Sequence, residues 1–192
     1  MAEAVYMSIV VLGTLGLGDV VITQPVLRLV SPVQALIGFV LLTASISWIM
    51  QLYPALARRR AWALHVSHIS SARMHEGLVD EGAAPGATGV VHALASGAAQ
   101  VRIDLGQHAE TYYFTERDPA TCLPSAMRYC AQLAEAAERS PDASLRAAGA
   151  TLGTAIHDLA GFLQERYLPR ADGGTSGFIR AAHHDHGCDG PS

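Results

Sequence analysis

The chain contains no lysine: all 13 of its basic residues are arginine. That absence excludes the phosphate loop of nucleotide hydrolases, whose glycine-rich turn needs a lysine to reach the phosphates. Charge is scarce as well. Only 16% of the 192 residues are charged and half are hydrophobic, which is greasy for a soluble protein. Cys122, Cys130 and Cys188 are too few and too unevenly placed for a disulfide framework, and they point to a reducing compartment. No Gly-x-Ser-x-Gly, His-Glu-x-x-His or other nucleophile-base constellation occurs, so the chain does not read as an enzyme. Its charge is unevenly split. Residues 1–60 carry four Arg against two acids, a net +2, whereas residues 61–192 carry nine against fifteen, a net −6. A segment that acidic is a poor partner for nucleic acid.

What is abundant is uninterrupted apolar sequence. No charged residue lies between Leu29 and Ala57, and Val33 to Leu52 supplies 20 mostly apolar positions. At about 1.5 Å per residue such a helix reaches about 30 Å, the thickness of a bilayer's hydrocarbon core. Ser31 and Pro32 form a start signal, as N-cap and first-turn proline, for a membrane helix of about residues 31–57. Trp48 and Tyr53 suit the headgroup level, and the following Arg58-Arg59-Arg60 assigns what comes after to the cytoplasm. A buried helix of a soluble domain seldom avoids charge for so long. A signal peptide fits worse, since Glu3 replaces a basic start.

Ahead of this helix an apolar run of about ten residues enters Gly13-Thr14-Leu15-Gly16-Leu17-Gly18-Asp19. Ten residues cannot span a bilayer as a helix. They can form a re-entrant helix, after which the chain returns through non-helical backbone lining a polar path. Glycines at the alternate positions Gly16 and Gly18 relax the φ restriction, so that successive carbonyls can aim to one side of an extended strand. A row of inward carbonyls is a cation site. A dinucleotide fingerprint is excluded because Val21 stands where its third glycine would be.

Thr14-Leu15-Gly16-Leu17-Gly18-Asp19 resembles the pore loop of potassium channels, where the family has Thr-Val-Gly-Tyr-Gly-Asp. The resemblance, to bacterial channels with two transmembrane helices, covers the first 60 residues. It implies ion coordination by the backbone carbonyls of Thr14, Leu15, Gly16 and Leu17, a turn at Gly18, and an acid at the outer mouth in Asp19. The family places an outer transmembrane helix before the pore helix. Here Met1 lies about a dozen residues ahead of the filter, so the segment reads as the pore half of a subunit lacking that outer helix. Leu17 replaces the family's aromatic residue, so cation conduction is implied more firmly than strict potassium selectivity.

Within the inner helix Thr43, Ser47 and Gln51 recur every four residues and share one face. They either line the cavity below the filter or, as small hydroxyl residues, let helices pack closely. Gly38 is either a gating hinge, as the resemblance implies, or a packing notch.

Beyond the arginines the inner helix can continue until residues 80–88, where Pro and repeated Gly break it. A helix is expected over Gly89 to Leu105, an extended piece at Thr111–Thr115, and a helix over Ser125 to Arg139. Another starts from Ser140 as N-cap with Pro141 at its first position. Its stripe Leu145, Leu152, Ile156, Leu159 and Leu163 is either intramolecular core or an assembly surface. The tail His183-His184-Asp185-His186-Gly187-Cys188 holds metal-ligand types, but its Gly/Asp-rich composition reads as disorder.

The expectation is therefore an all-α membrane protein, with a pore helix, a filter at residues 14–19 and an inner helix making a partial pore domain over residues 1–60. A cytoplasmic helical domain over 61–170 and a disordered tail over 171–192 follow. The function implied is potassium or cation conduction by a homotetramer in the inner cell membrane, with the C-terminal part cytoplasmic. Neither a cofactor nor a small-molecule substrate is expected, and potassium is the permeant ion. The alternative is a non-conducting, membrane-anchored helical interaction module with a vestigial pore loop.

Overall fold

The computed structural model describes residues 1–72, 86–114 and 118–167, together with 177 and 179; most of the expected break at 80–88 and nearly all of the tail lie outside them, and residues 87 and 88 of that break are already helical. The described residues are helical, with no strand among them. The chain divides into two units, Met1–Tyr53 and Pro54–Ser192.

In the first unit, α1 runs from Ala2 to Leu12, 11 residues, which reach about 16 Å. It ends in a Schellman motif: Thr14 N–H donates to Val11 O at 3.0 Å and Leu15 N–H to Val10 O at 3.0 Å. Thr14 itself occupies the left-handed region at φ 55°. For a β-branched residue that is strained backbone, costing on the order of 1–3 kcal/mol.

The second helix, α2, spans Pro25–Ser71, starting six residues before the Ser31 signal. Arg28 N–H donates to Gln24 O at 3.1 Å, which makes Gln24 the N-cap and Pro25 the first helical residue. Arg28 Nε reaches back to Ile22 O at 2.8 Å and fixes that first turn. Pro32 instead sits inside the helix, where it removes one backbone hydrogen bond, an interruption that membrane helices tolerate. Within α2 an 18-residue window has a mean hydropathy of 2.0, and none of it is buried. The core helix of a soluble protein would be covered; this one bares Leu36, Ile37, Val40, Leu41 and Ile46. It is a candidate membrane span.

The second unit packs the end of α2 with α3 (Ala87–Gln107), α4 (Leu123–Glu138) and α5 (Ala143–Tyr167). Leu145, Leu152 and Leu159 are fully buried, with Ile156 and Leu163 nearly so. The stripe is thus intramolecular core. Facing it are Met127, Cys130, Leu133 and Ala137 from α4 and Val91, Leu94, Ala98, Val101 and Leu105 from α3. Two glycines set the spacing: a Cβ on Gly149 would lie 2.8 Å from Ala137 Cβ, and one on Gly97 would collide with the Trp62 indole. Trp62 Nε1 also donates to Leu94 O at 3.1 Å.

Two local expectations are corrected. Residues Ala109–Tyr113 form a 3₁₀ turn rather than an extended piece. Thr111 Oγ1 donates to His108 O at 2.7 Å, and Tyr112 stacks on Tyr167 with centroids 4.0 Å apart, contacts a straight strand would forgo. The cap of α5 is Asp142, not Ser140: its Oδ1 accepts from Ser144 N–H at 2.9 Å and its carbonyl from Arg146 N–H at 3.0 Å. The Ser144 contacts hold the Asp142 carboxyl below its ordinary pKa.

Candidate ion-conducting site

The first unit places the filter candidates on a loop suspended between α1 and α2. Positive φ occurs at Thr14 (55°), Gly16 (55°) and Gly18 (76°), and Thr14 is the one non-glycine with positive φ among the described residues. The sign of φ therefore alternates from residue 14 to residue 18. That alternation is the backbone condition for carbonyls of successive residues to face one side. Nothing lies within 4 Å of a Cβ built on Gly16 or Gly18. Conformation, not space, is what demands glycine there. Leu15 and Leu17 are 65% and 62% exposed within the single chain, so their side chains find no cover from their own subunit.

One tie holds this loop to α1, and two more hold α1 to α2. Tyr6 Oη on α1 donates to Asp19 Oδ2 at 2.5 Å, anchoring the acid that follows the glycines. Gln34 Nε2 on α2 donates to Ser8 Oγ at 2.6 Å and to Ser8 O at 3.1 Å. Gly38 meets the backbone of Leu12, so closely that a Cβ would collide with the Leu12 carbonyl. The end of α1 thus approaches α2 closely at Gly38, where a side chain would leave no room. Tyr6, Ser8 and Gln34 were not singled out from the sequence. The available signal was polarity inside apolar helices, one tyrosine hydroxyl in α1 and one amide early in α2.

Thr43 and Ser47 both lie exposed on α2. The Thr43 hydroxyl donates to Phe39 O at 2.8 Å, and that of Ser45 to Leu41 O at 2.8 Å. Those donors are satisfied by their own helix, while the oxygens keep acceptor lone pairs.

In the second unit two arginines of the triplet, Arg58 and Arg59, bind partners within the fold. Arg58 grips the buried Asp104 carboxylate in a fork, Nε to Oδ2 at 2.7 Å and Nη2 to Oδ1 at 2.8 Å, and Gln100 Nε2 adds a bond at 3.0 Å. The bond to Asp104 raises the Arg58 pKa above its ordinary value. Arg59, 4% exposed, donates to Thr111 O and Phe114 O at 2.6 Å each. No group of three or more His, Cys, Asp or Glu capable of holding a metal occurs among the described residues; the His183–Cys188 tail lies outside them.

Residues 1–53 match the family model described as "Ion channel". That is 53 of 192 residues, the whole of the first unit. The match supports an ion-channel function, and with it membrane association and oligomer formation rather than catalysis. No curated protein and no solved structure matches the chain.

Proposed function

We propose that this chain is a subunit of a potassium-conducting channel in the inner cell membrane, working as a homotetramer with residues 54–192 in the cytoplasm. The observation that carries this reading is the alternation of φ sign through Thr14, Gly16 and Gly18, in the segment that matches the ion-channel family. Four copies of the carbonyl row of Thr14, Leu15, Gly16 and Leu17 replace the water shell of the permeant ion. Thr14 adds its hydroxyl at the inner end and Asp19 sits at the outer mouth, held by Tyr6. In this arrangement α1 is re-entrant, and its negative carbonyl end favours a cation in the cavity below. The exposed Leu15 and Leu17 then gain cover from neighbouring subunits. Thr43 and Ser47 offer acceptor oxygens to hydrated ions in that cavity.

Gly16→Ala tests the reading. Holding a Cβ at φ 55° costs about 1–2 kcal/mol in each subunit, and four subunits pay it together. Membrane insertion is expected to be unchanged and potassium flux into proteoliposomes to disappear. Undiminished flux in an inserted Gly16→Ala protein would remove the filter assignment.

A further inference from the structure

Two hydrogen bonds give the direction of α3 against the part of α2 that belongs to the second unit. Trp62 Nε1 donates to Leu94 O at 3.1 Å, and Arg58 Nε donates to Asp104 Oδ2 at 2.7 Å. As α3 advances from Leu94 to Asp104, its partner on α2 moves back from Trp62 to Arg58. The two helices are therefore antiparallel, and α3 delivers the turn Ala109–Tyr113 to the arginine end of this unit. Arg59 fixes the turn there through Thr111 O and Phe114 O, at 2.6 Å each. The last turn of α5 arrives at the same place, where Tyr167 Oη donates to Ala109 O at 2.9 Å.

That end carries most of the unit's exposed apolar surface. Among its described residues the large hydrophobic side chains left exposed are Leu64, Ile103, Tyr113 and Phe114. The last two belong to the segment that Arg59 holds, with Tyr113 73% exposed and Phe114 48%. They do not stand on a slack loop. Tyr112 stacks on Tyr167 with centroids 4.0 Å apart, and Tyr113 meets both rings edge-on, at 5.5 Å and 5.9 Å. A braced turn thus holds two neighbouring aromatic rings outward, against the preference of such rings for burial. Charge around them is mixed: Arg60 and Arg166 are exposed, and Glu110 lies in the turn itself.

Arg58-Arg59-Arg60 directly follows the charge-free run in sequence, and arginines in that place sit beside the lipid headgroups. A turn bonded to Arg59 lies at the same level, where aromatic side chains are favoured because one part of the ring meets acyl chains and its edge or hydroxyl meets water. We propose that Tyr113 and Phe114 form a lipid-contacting tip, inserted into the headgroup–acyl boundary of the leaflet from which α2 emerges. The tip is a second attachment of the chain to the bilayer, separate from the membrane span. Because charge at the tip is mixed, uncharged phosphatidylcholine is a sufficient partner. The inference rests on the reading of α2 as a membrane span, and the test keeps the two apart.

The full chain is reconstituted into phosphatidylcholine vesicles whose acyl chains are brominated close to the headgroups, where bromine quenches indole fluorescence on contact. Tyr113→Trp and Phe114→Trp each place an indole on the tip, and Glu135→Trp places one on an exposed position of α4. Glu135 is a distant control: α4 meets Gly149 at Ala137, and Gly149 lies about 27 Å before Tyr167 along α5. The emission of the unmodified chain, from Trp48 and Trp62, is subtracted. The added indole of both tip variants is expected to lose most of its intensity in brominated vesicles, while that of Glu135→Trp keeps its intensity. Tip indoles quenched no more than that of Glu135→Trp, in a chain whose own emission the bromines do quench, overturn the lipid contact and leave the membrane span standing. If those unquenched tip indoles also emit at short wavelength, a second copy or another protein covers the tip in place of lipid. A chain whose own emission brominated lipid leaves untouched overturns both readings.

Discussion

Gly38→Ala puts one methyl group where the Leu12 carbonyl oxygen now sits against α2. A carbon and a carbonyl oxygen ordinarily rest more than 3 Å apart, and both the α2 backbone and the end of α1 are rigid helical structure. The substitution therefore pushes α1 away by about an ångström or strains both helices. Overpacking of this kind costs typically about 1–3 kcal/mol. The displaced segment, Leu12 to Thr14, is the one from which the φ alternation starts, so the strain falls on the carbonyl row. At about 1.4 kcal/mol per tenfold, a loss of conducting protein of roughly tenfold or more is expected. The assay is potassium flux per reconstituted tetramer, with circular dichroism confirming that helix content is kept. Gly161→Ala is the control: that glycine lies in α5 with open space around its Cβ, and alanine there should stabilise the helix by about 0.5–1 kcal/mol without touching flux. A hinge role for Gly38 makes the opposite forecast, a folded filter with altered opening. Normal flux and unchanged packing in Gly38→Ala would refute the notch.

The other expected outcomes concern side chains in both units. Tyr6→Phe removes the 2.5 Å bond to Asp19 and should weaken potassium-over-sodium discrimination while leaving assembly intact; equal selectivity would show that Asp19 needs no anchor. Gly97→Ala drives a Cβ into the Trp62 indole and should lower the melting temperature of the second unit, because overpacking of about 1–3 kcal/mol exceeds the gain in helix propensity. Burial pushes the Cys130 thiol up to about 12, so in the folded protein it should resist alkylation at pH 8 and react on unfolding. Because that pKa is higher folded than unfolded, stability is fully present below about pH 8.5 and declines as pH rises toward 12. The depressed Asp142 carboxyl works in the other direction. Its contribution is full above about pH 4 and is lost as pH falls through the lower folded value, so Asp142→Asn should flatten acid unfolding measured by ellipticity.

The helices were legible because their signals are periodic and local. The apolar stripe of α5 predicted the residues that became fully buried, and the charge-free run predicted the exposed apolar length of α2. The alternation at Gly16 and Gly18 was legible from the need for glycine, but its third member, Thr14, was not. A threonine at φ 55° is disfavoured locally, and the Schellman bonds from Thr14 and Leu15 to α1 hold it there. The start signal read at Ser31 and Pro32 fell six residues late. Pro25 and Pro32 are both possible first residues, and the Arg28 bond to Ile22 O, a contact that sequence does not display, fixes the earlier start. The same holds for Arg58 and Arg59. As letters they read as a membrane-edge cluster, and only the fold reveals that Asp104 and two carbonyls had claimed them.

The most direct measurement is cation flux into proteoliposomes holding the unmodified protein, with potassium and sodium gradients imposed in turn. Potassium influx well above sodium influx is the predicted result. Equal influx of both ions would contradict selectivity at the Thr14–Leu17 row, and no influx from correctly inserted tetramers would contradict conduction itself.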